Sequence, residues 1–435
     1  MSNKFIPQTL KGFRDYLPEE QIARLEMIEK IRQTYESYGF SPIETPALEY
    51  AELLCSKFGP ENEKLIYRFK DNGERDVALI YDHTVPLARL IAQYPSVKKP
   101  MKVYQIGPLW RAENTQAGRF RQFYQGDADI IGTDSLFADL EIITLAAQIL
   151  ENLKLDFCIK INNRQILIGF LKLLKIDESA ALKIMRTIDK KDKINPEQLK
   201  KDLKSLGLSA GQIEATLEFM AQKINGSEDF EAVINKYAEL KEPLRSLQKL
   251  WGYIVQSKVK NCQIDFSLAR GLDYYTGTIF EASLKNSAKY GSLCGGGRYD
   301  NLVNQMVNKK VPAVGMAIGL DRLFTALTEL KQIKSKKNPA QIMLAFFDES
   351  LLSDYQEILR KLREHGYNVL FYSEIKKLGD QLKYAAENEI EFALIYGSQE
   401  KEKNEIIAKN LRTKEQITIS LNELIKYFKE QIKIN

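Results

Sequence analysis

The chain has 435 residues, 44% hydrophobic and 28% charged, with a formal net charge of +5. That length implies two or three domains with ample core, and the composition is that of a soluble globular protein rather than a disordered or fibrous one. Four cysteines without CxxC spacing and only two histidines argue against a zinc site, a disulfide framework or a histidine-based triad, and no apolar run is long enough for a membrane span. The N-terminus lacks an apolar signal core, so the expected setting is cytoplasmic.

Taken in chain order, residues 1–17 read as an irregular arm, and Pro18, Glu19 and Glu20 open a helix that Gly39 ends. Phe40 to Ala47 is strand-like but broken by Pro42 and Pro46, which places it at a sheet edge or an interface. Residues 64–82 read as two strands around a DNGERD turn, and residues 84–94 as a helix. MKVYQIGPLWR and RQFYQGDADIIG flank the polar stretch ENTQAGR as a long antiparallel hairpin. A helix over Ser135–Leu153 and a strand over Asp156–Asn162 follow. Residues 165–257 are rich in Lys and Leu and helical throughout, with an N-cap at Asn195-Pro196 and a capping box from Ser209 to Gln212. Strand character returns in NCQIDFSLAR and TGTIFEASL, then comes the glycine-dense SLCGGGRYD, and VPAVGMAIGLDRLFTAL runs from strand into helix. After the basic linker KQIKSKKNP, a βαβα rhythm predicts a small α/β domain with a largely parallel sheet.

Three arginines stand in glycine- and aromatic-rich blocks far apart in the chain: Arg111 in GPLWRAENTQAGRFRQFYQGDADIIG, Arg270 in LARGLDYYTGTIFE and Arg322 in PAVGMAIGLDRL. Permanent charge and a forked donor array suit a polyanionic ligand, and the tyrosines and phenylalanines offer faces for a ring. At these blocks the chain resembles the class II aminoacyl-tRNA synthetases. GFSPIETPALEY is similar to their motif 1, KVYQIGPLWRAENTQAGRFRQFYQGDADIIG to motif 2 and VGMAIGLDRL to motif 3, while ARGLDYYTGTIFE and GGGRYDNL resemble the two peptides peculiar to the histidyl-tRNA synthetase family. The resemblance implies an α+β fold: an antiparallel sheet with flanking helices, an inserted helical module and a C-terminal α/β anticodon-binding domain. The segments would be 1–164 and 258–330 for the two parts of the catalytic core, 165–257 for the insertion, 331–338 for the linker and 339–435 for the anticodon domain.

The implied reaction joins histidine to the α-phosphate of ATP and passes the histidyl group to the 3′ end of tRNA-His, with Mg²⁺ on the phosphates but no protein ligands for it that can be named. By resemblance, Arg111 bridges the amino-acid carboxylate and the α-phosphate, and Arg270 stabilises charge on the transferring phosphate. Arg322 and Arg119 hold the γ-phosphate, Glu113 reads the adenine edge, and Phe123 stacks on the ring. Asp82 and Thr84 hold the α-amino group, Gln125 is a further residue of the histidine pocket, Asp129 and Tyr275 hydrogen-bond the imidazole, and Tyr274 and Tyr299 adjoin them. Asn114 and Gln116, with Thr115 between them, would face the acceptor end of tRNA. Ile80 stands where the family usually has arginine, which would remove a charge beside the amino-group site, and His83 stands where an apolar residue is usual. Lysines 331, 334, 336 and 337 could meet phosphate backbone or form a solvated hinge. A homodimer is implied by motif 1. A non-catalytic paralogue that senses histidine or tRNA is the alternative; the retained Arg111, Arg270, Arg322 and C-terminal domain favour the enzyme, and the two histidyl peptides argue against prolyl, threonyl or glycyl specificity.

Overall fold

Proline at the first turn, with Glu19 and Glu20 behind it at the positive end of the helix, starts α1, Pro18–Ser37. The computed structural model describes residues 6–55, 65–114, 120–191, 194–270, 274–285, 287–307, 309–333 and 335–432. Two compact units emerge, Met1–Arg14 with Met27–Gln332 and Asp15–Glu26 with Ile333–Asn435.

In the first unit the Phe40–Ala47 stretch divides at its prolines. β1 is only Ser41–Pro42, an edge strand parallel to the later β5, and β2, Leu48–Tyr50, lies in a different sheet. After α2, Ala51–Cys55, come β3, Arg68–Lys70, and β4, Asp76–Leu79, which pair antiparallel as the turn between them predicts; β2 joins them in a three-stranded sheet. Helix α3, Thr84–Gln93, leads to β5, Met101–Trp110, and β6, Gln122–Ile131, whose ten residue pairs form the long antiparallel ladder expected of the hairpin. Then follow α4, Leu136–Asn152, and β7, Phe157–Asn163.

Six helices come next: α5, Arg164–Leu173; α6, Glu178–Ile188; α7, Pro196–Ser205; α8, Ala210–Ala221; α9, Ser227–Lys236; and α10, Lys241–Gln256. Asn195 caps α7 by accepting from Gln198 N–H, and Ser209 and Gln212 form the capping box of α8. Phe219 of α8 stacks between Phe170 of α5, at 4.0 Å, and Phe266, at 5.3 Å. These rings fasten the helices to the main sheet through apolar burial.

The chain re-enters that sheet as β8, Cys262–Ile264, and β9, Thr278–Leu284. The glycine-dense segment is itself a strand, β10, Ser292–Arg298, which carried no strand signal because glycine lacks the side chains that favour pleated structure. Short α11, Asn304–Val307, precedes β11, Ala313–Gly319, and α12, Leu320–Glu329. The sheet runs β1-β5-β6-β11-β10-β9-β7-β8, antiparallel except at its two ends, where β1 joins β5 and β8 joins β7 in parallel. Arg298 at the end of β10 is anchored to α4, donating to Asp139 and to the carbonyls of Thr133 and Ser135.

The second unit carries β12, Ile342–Leu344; α13, Leu352–Glu364; β13, Val369–Phe371; α14, Leu378–Glu387; β14, Phe392–Ile395; α15, Ser398–Lys403; β15, Glu405–Asn410; β16, Gln416–Ser420; and α16, Leu424–Gln431. Its sheet, β13-β12-β14-β15-β16, is parallel only across the first three strands. β14, β15 and β16 pair antiparallel, so the expectation of a largely parallel sheet holds for half of it. The reason is local: after β14 the chain turns back through short α15 and then a tight turn, with no crossover helix long enough to restore a parallel strand. Among the described residues no helix is long and apolar enough to cross a membrane.

Candidate active site

Strand alternation turns Phe123, Gln125, Asp127 and Asp129 of β6 to one face, where they line a cavity of about 440 Å³. Arg111 follows the last residue of β5. Its N–H donates to Arg121 O at 2.8 Å, its Nε to Tyr81 O at 3.0 Å, and its guanidinium lies 5.0 Å over the Phe123 ring. The arginine is thereby held at the mouth of the hairpin with its outer nitrogens toward the cavity. Glu113 lies two residues further on and lines the same space.

Asp129 faces Gly315 across the β6–β11 ladder. A Cβ on residue 315 would fall 1.8 Å from Asp129 Oδ1, so only glycine leaves room for the carboxylate. Tyr299 donates to that same oxygen at 2.5 Å. Burial pushes the Asp129 carboxyl well above its ordinary range, opposed by the Tyr299 hydrogen bond and assisted by the charges of Asp127 and Asp82. Tyr274 packs at 5.0 Å from Tyr275 and 6.0 Å from Tyr299, giving an aromatic wall in which Tyr275 and Tyr299 are buried and Tyr274 is half-buried.

Arg270 has a left-handed backbone, φ +47°, uncommon for a residue with a side chain. Its Nη1 donates to Phe280 O at 3.0 Å, which lays the guanidinium across Gly295 of β10; a Cβ there would fall 1.6 Å from that nitrogen. Arg322, in the first turn of α12, donates to Ser292 O, while its neighbour Asp321 accepts from Tyr124 N–H at 2.6 Å and ties α12 to β6. On the opposite wall Asp82 accepts from Val85 N–H at 3.0 Å at the start of α3. Burial raises its pKa to about 6, against the lowering by that hydrogen bond and by Arg111.

Twelve of the residues singled out from sequence thus share one cavity: Arg111, Glu113, Phe123, Gln125, Asp129 and Arg322 from the hairpin and motif 3 blocks, with Asp82, Thr84, Arg270, Tyr274, Tyr275 and Tyr299. Asn114 is exposed and does not line it. Arg119, Thr115, Gln116 and Lys334 lie outside the described residues. Ile80 is 2% exposed in an apolar cluster and not on the cavity wall. Of the linker lysines, Lys336 pairs with Glu26 at 2.6 Å and Lys337 donates to Glu387 O at 3.2 Å.

Sequence reasoning missed Asp127, Asp189 and Asp321, which also line the cavity. Asp127 was legible in principle, since it shares the two-residue period of Gln125 and Asp129. Asp189 comes from the end of α6 in the helical stretch, and nothing local announces its reach. Among the described residues no group of three or more His, Cys, Asp or Glu side chains could hold a metal ion, and none of the four cysteines forms a disulfide.

The antiparallel sheet with its hairpin, glycine strand and three separated arginines defines a class II aminoacyl-tRNA synthetase. The family model described as histidyl-tRNA synthetase matches residues 12–323, and that of an anticodon binding domain matches residues 336–431. The histidine–tRNA ligase of Rhodopirellula baltica is 40% identical over 94% of this chain and 94% of its own length, and that of Clostridium tetani is 39% identical over 97% and 98%. A solved histidyl-tRNA synthetase from Nostoc superposes with a TM-score of 0.87 at 32% identity, covering 99% of this chain and all of its own. The chain belongs to the histidyl-tRNA synthetase family.

Proposed function

We propose that this cavity joins L-histidine to ATP as histidyl-adenylate and then passes the histidyl group to the 3′ end of tRNA-His. The observation that carries the reading is that Arg111 and Arg270, brought from segments far apart in the chain, end in one cavity with the Asp129–Tyr299 pair. Two anions, a carboxylate and an α-phosphate, repel as they approach; Arg111 between them lowers that repulsion, and Arg270 stabilises the charge that grows on the phosphate. Arg322, already aimed by Ser292 O, holds the γ-phosphate, and Glu113 and Phe123 take the adenine edge and face. Arg119 is assigned to the γ-phosphate from its motif alone.

At the other end Asp82, Thr84 and Gln125 receive the α-ammonium, and Asp129 and Tyr275 the imidazole, with Tyr274 and Tyr299 as their packing. A pocket that pairs both ring nitrogens leaves buried polar groups unpaired when an apolar analogue enters, and that asymmetry is the source of discrimination. Mg²⁺ fits as a companion of the triphosphate, since this ion keeps several waters and takes one or two carboxylates plus phosphate oxygens rather than a protein cage.

We assign catalysis to residues 1–164 and 258–330, the acceptor stem to the 165–257 helices with Asn114 and Gln116, and anticodon reading to residues 339–435 beyond the 331–338 linker. A homodimer is supported by the three-stranded sheet, where Tyr50 and Phe69 flank Val77 on one face and are 63% and 46% exposed, beside Leu48 at 43%. The setting is cytoplasmic.

The test is pyrophosphate exchange into ATP with each of the twenty amino acids, with Arg270→Ala as control. Exchange with histidine alone, lost in the control, is expected. Histidine binding without exchange would instead indicate a histidine-sensing paralogue.

A further inference from the structure

Behind the cavity wall lies a buried pair that the scheme above leaves unused. His83 is 2% exposed and Asp127 is 3% exposed, with His83 Nδ1 3.6 Å from Asp127 Oδ1. Among the described residues neither ring nitrogen of His83 nor Asp127 Oδ1 has a hydrogen-bond partner. Asp127 lines the cavity and His83 does not, so the imidazole meets the pocket through Asp127.

The separation is longer than a hydrogen bond and within ion-pair range. An unpaired donor and an unpaired acceptor, both out of water, each carry a desolvation penalty that closer approach relieves. Contacts of this kind tighten when a ligand closes the site. The backbone presents the two groups to each other: Asp127 lies midway between Gln125 and Asp129 on β6, and His83 sits between Asp82 and Thr84 at the start of α3. Gly107 on β5 packs against the ring, since a Cβ there would stand in van der Waals contact with it, 3.4 Å from His83 Nε2.

The charges around the pair explain what it is for. Asp82, Asp127 and Asp129 are all buried, and Asp127 disfavours ionisation of the other two. Arg111 eases Asp82, whereas the group that faces Asp127 is His83. On α1, the Tyr35 hydroxyl is engaged with Gly126 O at 3.0 Å, and on β10 the Cys294 thiol is held protonated by burial.

We propose that His83 is a positioning residue for amino-acid binding: it orients Asp127 so that the α-ammonium of the substrate meets two carboxylates, Asp82 and Asp127. This rests on the amino-acid pocket assigned above. The substrate class it favours is a free α-amino acid over its des-amino analogue.

The test varies L-histidine in pyrophosphate exchange at saturating ATP. His83→Leu and Asp127→Asn are each expected to raise KM for histidine about tenfold, as loss of one charge-assisted contact does, with KM for ATP little changed. The double variant is expected to be no worse than Asp127→Asn, because the two act as one unit. His83→Gln, which can still donate an N–H at similar reach, retains most of the affinity. Imidazolepropionate, which lacks the amino group, should inhibit wild type and His83→Leu equally. His83→Asn, polar but too short to reach Asp127, takes the place of the leucine variant if that one does not fold. Additive effects, equal changes in KM for histidine and ATP, or no change in either would overturn the assignment. Wild-type protein without histidine-dependent exchange would overturn the ligation reading and this assignment with it, and it shows before any variant is made.

Discussion

The guanidinium of Arg270 lies across the backbone of Gly295, so close that a methyl group on residue 295 would fall 1.6 Å from Nη1 and 2.9 Å from Phe280 O. The first of these atoms is the flexible end of a side chain and the second is backbone, so the arginine must leave. Gly295→Ala is therefore expected to abolish most adenylate formation, by about 10²–10³-fold as for loss of an oriented transition-state donor. Pyrophosphate exchange measures it; activity within a few-fold of wild type would show that Arg270 is not needed in its present place.

Arg111→Lys tests the fork rather than the charge. Lysine keeps the cation but cannot donate to Tyr81 O while turning two more nitrogens to the cavity, as the guanidinium does. A fall in kcat of about 10²-fold with intact folding is expected. Near-normal kcat in the lysine variant would mean that a point charge suffices.

Tyr299→Phe removes the hydrogen bond described to the Asp129 carboxyl and leaves that buried group without it. The expected cost is about 1–3 kcal/mol in stability. The chemical effect should fall on KM for histidine, since the imidazole end of the pocket loses its fixed acceptor. Thermal unfolding and exchange kinetics read the two separately.

Asp82 has its carboxyl raised from 3.8 to about 6, chiefly by burial. The folded state then binds more protons than the unfolded state between those values, so stability is greatest below pH 4 from this group and declines as pH rises to about 6. The decline amounts to about 3 kcal/mol at most, from roughly two pKa units. Asp82→Asn should lack it, becoming more stable than wild type at pH 7 while binding histidine poorly. Denaturant melts of both proteins at pH 4.5 and 7 decide the matter; parallel curves would refute the burial argument.

Arg298 and Asp139 form a buried pair, 7% and 0% exposed, holding β10 to α4. Arg298→Met should cost about 3–5 kcal/mol by leaving the carboxylate uncompensated. The deficit is expected in the unfolding midpoint.

The hairpin from Met101 to Ile131 was legible because alternation on both sides of a polar stretch leaves few other structures possible. So were the caps at Asn195 and Ser209, where a side chain bonds a backbone group three residues away. β10 was not, since Gly295, Gly296 and Gly297 show their purpose only beside Arg270, β11 and β9. Nor was the direction of β15 and β16, which depends on how the chain turns after β14.

Arg111, Arg270 and Arg322 could be named from the chain itself, because each sits in a local block whose glycines and aromatics already describe a close approach to a charged, flat ligand. What surrounds them required the tertiary structure. The burial of Ile80 in apolar packing, the arrival of Asp189 from a distant helix and the facing of His83 by Asp127 are contacts between segments 44 or more residues apart in the last case and unconstrained by local pattern in all three. Residue types and spacing determine which chemistry a segment can carry. Burial and distance, which set the charge and aim of each group, exist only once the strands and helices have packed.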